Sequence, residues 1–198
     1  MKALILAAGR GERLRPLTDT TPKPLIEVAG KKLVDHNLEF LSKYSIDSVV
    51  VNVSYLANKI IDYLGDRVLF SYERERLGTA GAVYKLRDWF DNNFVVVNGD
   101  TIHNIDMGKM VQSHIYSNAM VTIFTKDTDV HNGGVFIFNY RVFMYLTKGI
   151  FSIHEELIPM LSALGETNLY NGGDDEYYFD IGTVEKLKIA EDYLLSHK

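Results

Sequence analysis

The sequence predicts an α/β protein: one doubly wound domain around a mostly parallel central sheet. Three observations point there. Short runs such as Leu4-Ile5-Leu6 and Val95-Val96-Val97 are apolar throughout, as expected of strands covered on both faces. The segments between them carry apolar residues at helical spacing. The two kinds of segment alternate up to about residue 125, the pattern that builds parallel sheets. At 198 residues the chain is long enough to bury a substantial core in one domain.

In order, residues 2–7 form a central strand that runs into Gly9-Arg10-Gly11-Glu12-Arg13-Leu14-Arg15-Pro16 and then Pro22-Lys23-Pro24. Leu33, Asn37, Phe40, Leu41 and Tyr44 predict a helix over about 34–44. Val49-Val50-Val51-Asn52-Val53 is a second buried strand, and a helix through Leu56, Ile60, Ile61 and Leu64 stops at Gly65. A third strand covers 67–72. The charged run Glu73-Arg74-Glu75-Arg76 reads by itself as a solvated loop. It leads into a second small-residue loop, Leu77-Gly78-Thr79-Ala80-Gly81-Ala82, opening a helix to about residue 90. A fourth strand, 94–97, ends in Asn98-Gly99-Asp100. A helix at 107–116 and strands at 119–125 and 133–139 follow, then helices at 140–146 and 152–164 and a polar turn at 171–176. Tyr177-Tyr178-Phe179 is a last strand ending in Asp180-Ile181-Gly182-Thr183, before a helix through Val184, Leu187, Ala190 and Leu194. Residues 1–125 are expected to form the nucleotide-binding core and 126–198 a smaller subregion packed on it.

Composition narrows the function. Apolar residues make up 46% and charged residues 24%, ordinary for a soluble protein. No run reaches the about 18 apolar residues of a membrane span, and no secretory signal opens the chain. There is no cysteine, so the expected location is the cytoplasm. A net charge of −5 argues against nucleic-acid or anionic-membrane partners. The histidines lack any zinc-motif spacing.

The first loop carries the chemistry. Glycines let backbone N–H groups close on an anion, and arginines add bidentate donors for phosphate oxygens. Lys23 adds a point charge on a segment stiffened by prolines. Asp100 and Asp180 each end an apolar strand, where a carboxylate is costly unless it meets a cation. Asp100 could instead cap the helix near Asp106. The dinucleotide fingerprint fails because Leu14 stands where its third glycine belongs. No Gly-Lys-Ser/Thr run or Gly-x-Ser-x-Gly elbow occurs. What is left suits transfer of a phosphoryl-type group between two anionic partners.

Six ordered motifs carry a resemblance: Leu6-Ala7-Ala8-Gly9-Arg10-Gly11-Glu12-Arg13-Leu14, Pro22-Lys23-Pro24, Leu77-Gly78-Thr79-Ala80-Gly81, Asn98-Gly99-Asp100, Asn132-Gly133-Gly134 and Asp180-Ile181-Gly182-Thr183. The chain resembles the sugar-1-phosphate nucleotidylyltransferases, nearest the mannose- or heptose-1-phosphate guanylyltransferases and the N-acetylmuramate-1-phosphate uridylyltransferases. The resemblance implies a Rossmann-like three-layer domain and an enzyme joining a sugar 1-phosphate to an NTP. It implies that Arg13 and the amides of Gly9, Arg10, Gly11 and Glu12 hold the triphosphate, that Leu6, Ala7 and Ala8 also belong to the nucleotide site, and that Lys23 bridges the α-phosphate and the incoming phosphate. Asp100 and Asp180 would carry Mg²⁺, and Gly78 and Thr79 would lie against the base.

The family's usual Glu-Lys-Pro segment before Asn132 has no counterpart here, and many relatives have threonine where Glu12 stands. The sugar phosphate is therefore expected to meet Asn132, Gly133, Glu155 and Glu156, in a pocket left open or closed by a second subunit of a homo-oligomer. For the two glutamates, the competing role is dipole complementarity at a helix start. Glu73 is expected to read the base, favouring GTP over UTP because a carboxylate accepts from guanine N1–H and N2–H₂. The alternatives are a cytidylyl- or uridylyltransferase for a smaller alcohol phosphate such as phosphocholine, and a catalytically silent regulatory homologue.

Overall fold

The computed structural model describes residues 1–126 and 133–197. β1 (Lys2–Leu6) leads through the glycine loop to a short helix α1 (Leu17–Thr20), a hairpin of β2 (Glu27–Val28) and β3 (Lys31–Lys32), and α2 (Leu33–Lys43). Next come β4 (Ser48–Val53), α3 (Ala57–Leu64), β5 (Leu69–Tyr72), α4 (Gly78–Lys85) and β6 (Asn93–Asn98). β7 (Thr101–His103), α5 (Met107–Ser117) and β8 (Val121–Thr125) follow. Beyond residue 132 lie β9 (Val135–Asn139), α6 (Ile158–Ala163), β10 (Thr167–Asn171), β11 (Tyr178–Asp180) and α7 (Val184–Ser196).

Seven strands make one sheet in the order β10-β8-β9-β6-β1-β4-β5, with every pairing parallel except the two made by β9. β1 sits in the middle, so both its faces are covered. Ala3 and Ile5 pack with residues of α2, α3 and α5 on one face, while Leu4 packs with α4 and the 153–161 segment on the other. Strand side chains alternate between faces, so a wholly apolar strand feeds two cores and produces three layers. The expected single α/β domain is what the chain forms.

Two strands from beyond residue 126 are built into the main sheet, so this part shares the core's sheet rather than packing on it. A third, smaller core of Leu14, Ile26, Val28, Leu33, Ile102, Ile181 and Ala190 ties α7 and β11 to the segment after the glycine loop. There β11 pairs antiparallel with β7, Asp180 opposite Thr101.

Several elements differ from expectation in detail. The helix from Gly78 ends at Lys85 and continues as tight turns, with Leu86, Arg87 and Trp89 donating to carbonyls three residues back. The expected 140–146 helix is a 3₁₀ stretch, Tyr140–Met144. The 152–164 helix opens with a wide π turn, Ile153–Leu157, before α6, where Pro159 has no N–H for the regular α pattern. No helix among the described residues is long and apolar enough to cross a membrane.

Candidate active site

The carboxyl ends of β1, β4 and β6 open onto a cavity of about 830 Å³. In parallel sheets this is where ligands bind, because loops leave the strands there and the backbone N–H groups of the following helices face outward. Leu6, Ala7, Ala8, Gly9 and Arg10 line one side, and Gly78, Thr79 and the charged loop at 73–76 line the other. Lys23 and Asp100 complete the lining near Asn98 and Gly99.

Lys23 is 9% exposed, and its Nζ lies 2.5 Å from Asp100 Oδ2. Its position follows from Pro22, which holds an extended backbone before the 3₁₀ turn Lys23–Leu25. Gly11, at φ +64°, turns the glycine loop tightly enough for its carbonyl to accept from Leu14 N at 2.9 Å and from Thr18 Oγ1 at 2.8 Å. Asp100 does not cap the next helix. Asp106 does, accepting from Lys109 N at 3.1 Å.

A chain of hydrogen bonds joins the two glycine loops. Ala7 N donates to Asn52 Oδ1 at 2.6 Å, Asn52 Nδ2 donates to Glu73 Oε1 at 2.8 Å, and Leu77 N donates to Glu73 Oε2 at 3.1 Å. Glu73 is 3% exposed, so both carboxylate oxygens of a buried side chain are engaged by the protein itself.

Asp180 reaches the same end of the sheet by a different route. The β7–β11 pairing and the bond from Ile181 N to Asp100 O, 2.8 Å, bring the chain around Asp180 beside Asp100. Lys186 Nζ lies 2.8 Å from Asp180 Oδ2. Arg13 stands opposite: a Cβ on Gly182 would come within 2.9 Å of its guanidinium and 3.1 Å of Asp180 Oδ2. The Tyr178 hydroxyl lies near both carboxylates. Burial first, then the negative charges of Asp100 and Asp180, push its pKa well above the ordinary phenol range.

Comparison with known proteins supplies the family. The family model described as nucleotidyl transferase matches residues 2–133. The chain belongs to the nucleotidyl transferase family. It is 45% identical over 96% of its length to the N-acetylmuramate α-1-phosphate uridylyltransferase of Neisseria meningitidis, covering 97% of that protein. It is 30% identical, again over 96% of its length, to the D-glycero-α-D-manno-heptose 1-phosphate guanylyltransferase of Aneurinibacillus thermoaerophilus, covering 97% of it. Against the UTP–glucose-1-phosphate uridylyltransferase of Synechocystis it is 38% identical over 64% of its length, and it spans 37% of that relative. The crystal structure of HddC from Yersinia pseudotuberculosis superposes with a TM-score of 0.82 at 24% identity, covering 98% of this chain and 99% of that one. The resemblance seen in the motifs, to the sugar-1-phosphate nucleotidylyltransferases, therefore stands.

Within this nucleotidyltransferase, the sequence-predicted residues fall into three groups. Leu6 to Arg10, Lys23, Glu73, Gly78, Thr79 and Asp100 meet at the cavity. Gly11, Glu12, Arg13 and Asp180 border it without lining it; Glu12 and Arg13 are exposed in the 3₁₀ turn after Gly11. Gly133, Glu155 and Glu156 are elsewhere. Gly133 is buried against Ile123 and the Phe124 carbonyl. Glu156 Oε2 accepts from Ser152 N at 2.7 Å, and Ser152 Oγ accepts from Glu155 N, a reciprocal cap on the π turn. Both glutamates thus stand at this helix start and outside the cavity lining, Glu156 capping through its carboxylate and Glu155 through its backbone N–H. Asn132 lies outside the described residues.

Sequence reasoning missed Asn52, whose signal was a lone amide among valines, and Lys186, which had none.

Proposed function

We propose that the chain transfers a nucleotidyl group from an NTP to a sugar 1-phosphate, releasing pyrophosphate. A phosphate oxygen of the sugar phosphate attacks the α-phosphorus. One P–O bond forms, the bond to the β-phosphate oxygen breaks, and its electron pair leaves with pyrophosphate. Such transfer needs little covalent help from a protein; it needs positioning and neutralisation of charge. The observation that carries this reading is the Lys23–Asp100 pair beside an open glycine loop, a cation and a carboxylate held together at the carboxyl ends of β1 and β6.

Each residue has a defined task. The Gly9 to Gly11 backbone receives the triphosphate, and Arg13 and Arg10 add charge at its edge. Lys23, once parted from Asp100, neutralises charge on the α-phosphate as bonds exchange. Gly78 and Thr79 border the space for the base. Asp100 and Asp180 fit Mg²⁺, a hard cation that takes a few carboxylate oxygens and completes its shell with phosphate oxygens and water. When bound, it would neutralise the leaving pyrophosphate. Without the Glu-Lys-Pro segment, the sugar phosphate is proposed to meet a pocket more open than is usual in the family. Such chemistry belongs where NTPs are abundant, the cytoplasm.

The base requires a revision of the sequence reading. Glu73 was expected to select guanine, but Asn52 and Leu77 already occupy both its oxygens. It therefore ties the two loops together whichever base is bound, and GTP over UTP rests only on the acceptor capacity its oxygens have left. A panel of four NTPs against several sugar 1-phosphates, read by pyrophosphate release, tests the function. One pair should turn over well, and Asp100→Asn should lower kcat for it at least ~100-fold. Near-normal turnover by folded Asp100→Asn would remove that residue from the reaction.

A further inference from the structure

Lys186 stands outside every motif of the chain, yet its ammonium is 2.8 Å from Asp180 Oδ2. We propose that Lys186 is a resident counter-cation for Asp180, which a divalent cation must displace before that carboxylate can serve the reaction. The proposal rests on the reading of Asp180 as a metal ligand given above.

The location of Lys186 singles it out. It sits in the first turn of α7, where Thr183 caps the helix by accepting from Lys186 N at 3.3 Å. A cation at a helix N-terminus faces the positive end of the helix dipole, so the helix itself gives it no favourable field. What holds its side chain is the carboxylate of Asp180, reached backwards across Thr183 and Gly182. The two side chains are 52% and 32% exposed, so the pair lies at the rim where an ion can enter and compete. Arg13 adds a second positive charge across Gly182.

Asp100 repeats the arrangement with Lys23. Both carboxylates suited to a metal therefore carry an ammonium. A bare divalent cation gains their attraction only by displacing both lysines, which leaves two unpaired cations beside it. A metal arriving with a triphosphate meets a different balance, because the displaced ammonium groups find phosphate oxygens as new partners. Metal and nucleotide thus load together, and Lys186 makes the protein a poor binder of free metal.

Mn²⁺ binding to the nucleotide-free full chain, read by the electron paramagnetic resonance of unbound Mn²⁺, tests this without turnover. Lys186→Met and Lys186→Gln should each bind Mn²⁺ about five-fold more tightly than the parent (about 1 kcal/mol), in keeping with an exposed ion pair. Lys186→Arg, which keeps the cation, should match the parent. Adding Asp180→Asn to Lys186→Met should abolish the gain. The proposal is overturned if Lys186→Met and Lys186→Gln bind no tighter than the parent, including the case where none binds measurably, or if the gain survives Asp180→Asn. The pyrophosphate panel separates the two readings. Turnover without the Mn²⁺ gain removes this proposal alone, and the gain without turnover on any pair removes the sugar-phosphate reading alone.

Discussion

The two glycine loops of this chain look alike in sequence and do different work. A Cβ built on Gly9 would meet nothing within 4 Å among the described residues, so the first loop leaves open space there, although one on Gly11 would come within 2.9 Å of the Thr18 methyl. A Cβ on Gly78 would come within 2.5 Å of the Phe151 carbonyl oxygen, and one on Gly81 would strike the Gly149 carbonyl. Two of the second loop's amides are also taken, and so is its threonine hydroxyl. Ala80 N and Gly81 N both donate to Phe151 O, and Ile153 N donates to Thr79 Oγ1 at 2.7 Å. Donors at the start of a helix are an anion site only while they are free. Small residues after a strand announce a close approach; packing decides whether a ligand or the protein's own main chain makes it. Gly78 and Thr79 still border the cavity, but the first duty of their loop is to hold the 149–153 segment.

The strongest way to break this contrast is Gly78→Ala. Gly78 has φ +74°, and the new Cβ would strike backbone that cannot swing aside. Left-handed strain and overpacking together should remove about 3 kcal/mol or more of stability, read by urea unfolding. A variant as stable as the parent would mean that the second loop is as free as the first.

Away from both loops, beneath Phe40 and Tyr178, lies a weak point that pH exposes. His103 follows Asp100 on β7, fully buried, with neither ring nitrogen hydrogen-bonded among the described residues. Burial lowers its pKa to about 3 from the ordinary 6.5. Between those values the unfolded chain binds a proton that the folded chain refuses, so stability falls as pH falls. About 2 kcal/mol should be lost between pH 7 and pH 5 on this account. His103→Phe should remove that share of the slope in urea midpoints, leaving the part due to His114, whose pKa burial lowers to about 4. An unchanged slope would show that His103 does not carry the acid sensitivity.

The smallest effect on stability belongs to Gly9→Ala. With no neighbour for the added methyl, unfolding should shift by less than about 0.5 kcal/mol. KM for NTP should nonetheless rise, since the methyl intrudes where phosphate approaches. Unimpaired nucleotide binding would return Gly9 to an ordinary turn.

What the sequence made legible follows from burial. β1 and β6 were plain because central strands must be apolar on both faces. The direction of β9 was not, because an apolar run such as Phe136-Ile137-Phe138 is the same read either way. β10, Thr167-Asn168-Leu169-Tyr170-Asn171, escaped because an edge strand can be mostly polar. In the site, Lys23 and Asp100 were each visible from their neighbours, but their pairing joins residues 77 apart and has no local signature. Glu73 stood in a run of exposed charges, and only the fold shows that it is buried while Arg74 and Glu75 are not.

The pairing of β11 with β7 has a consequence for how the protein comes into being. During synthesis the glycine loop, Lys23 and Asp100 emerge before Asp180, and β11, the strand that delivers Asp180, can pair with β7 only afterwards. Until then Ile102 and Leu14 lack Ile181 and Ala190, their partners in the third core. A chain stopped before β11 would therefore carry the glycine loop, Lys23 and Asp100 without the second carboxylate proposed to complete the chemistry, and with the third core beneath them unfilled.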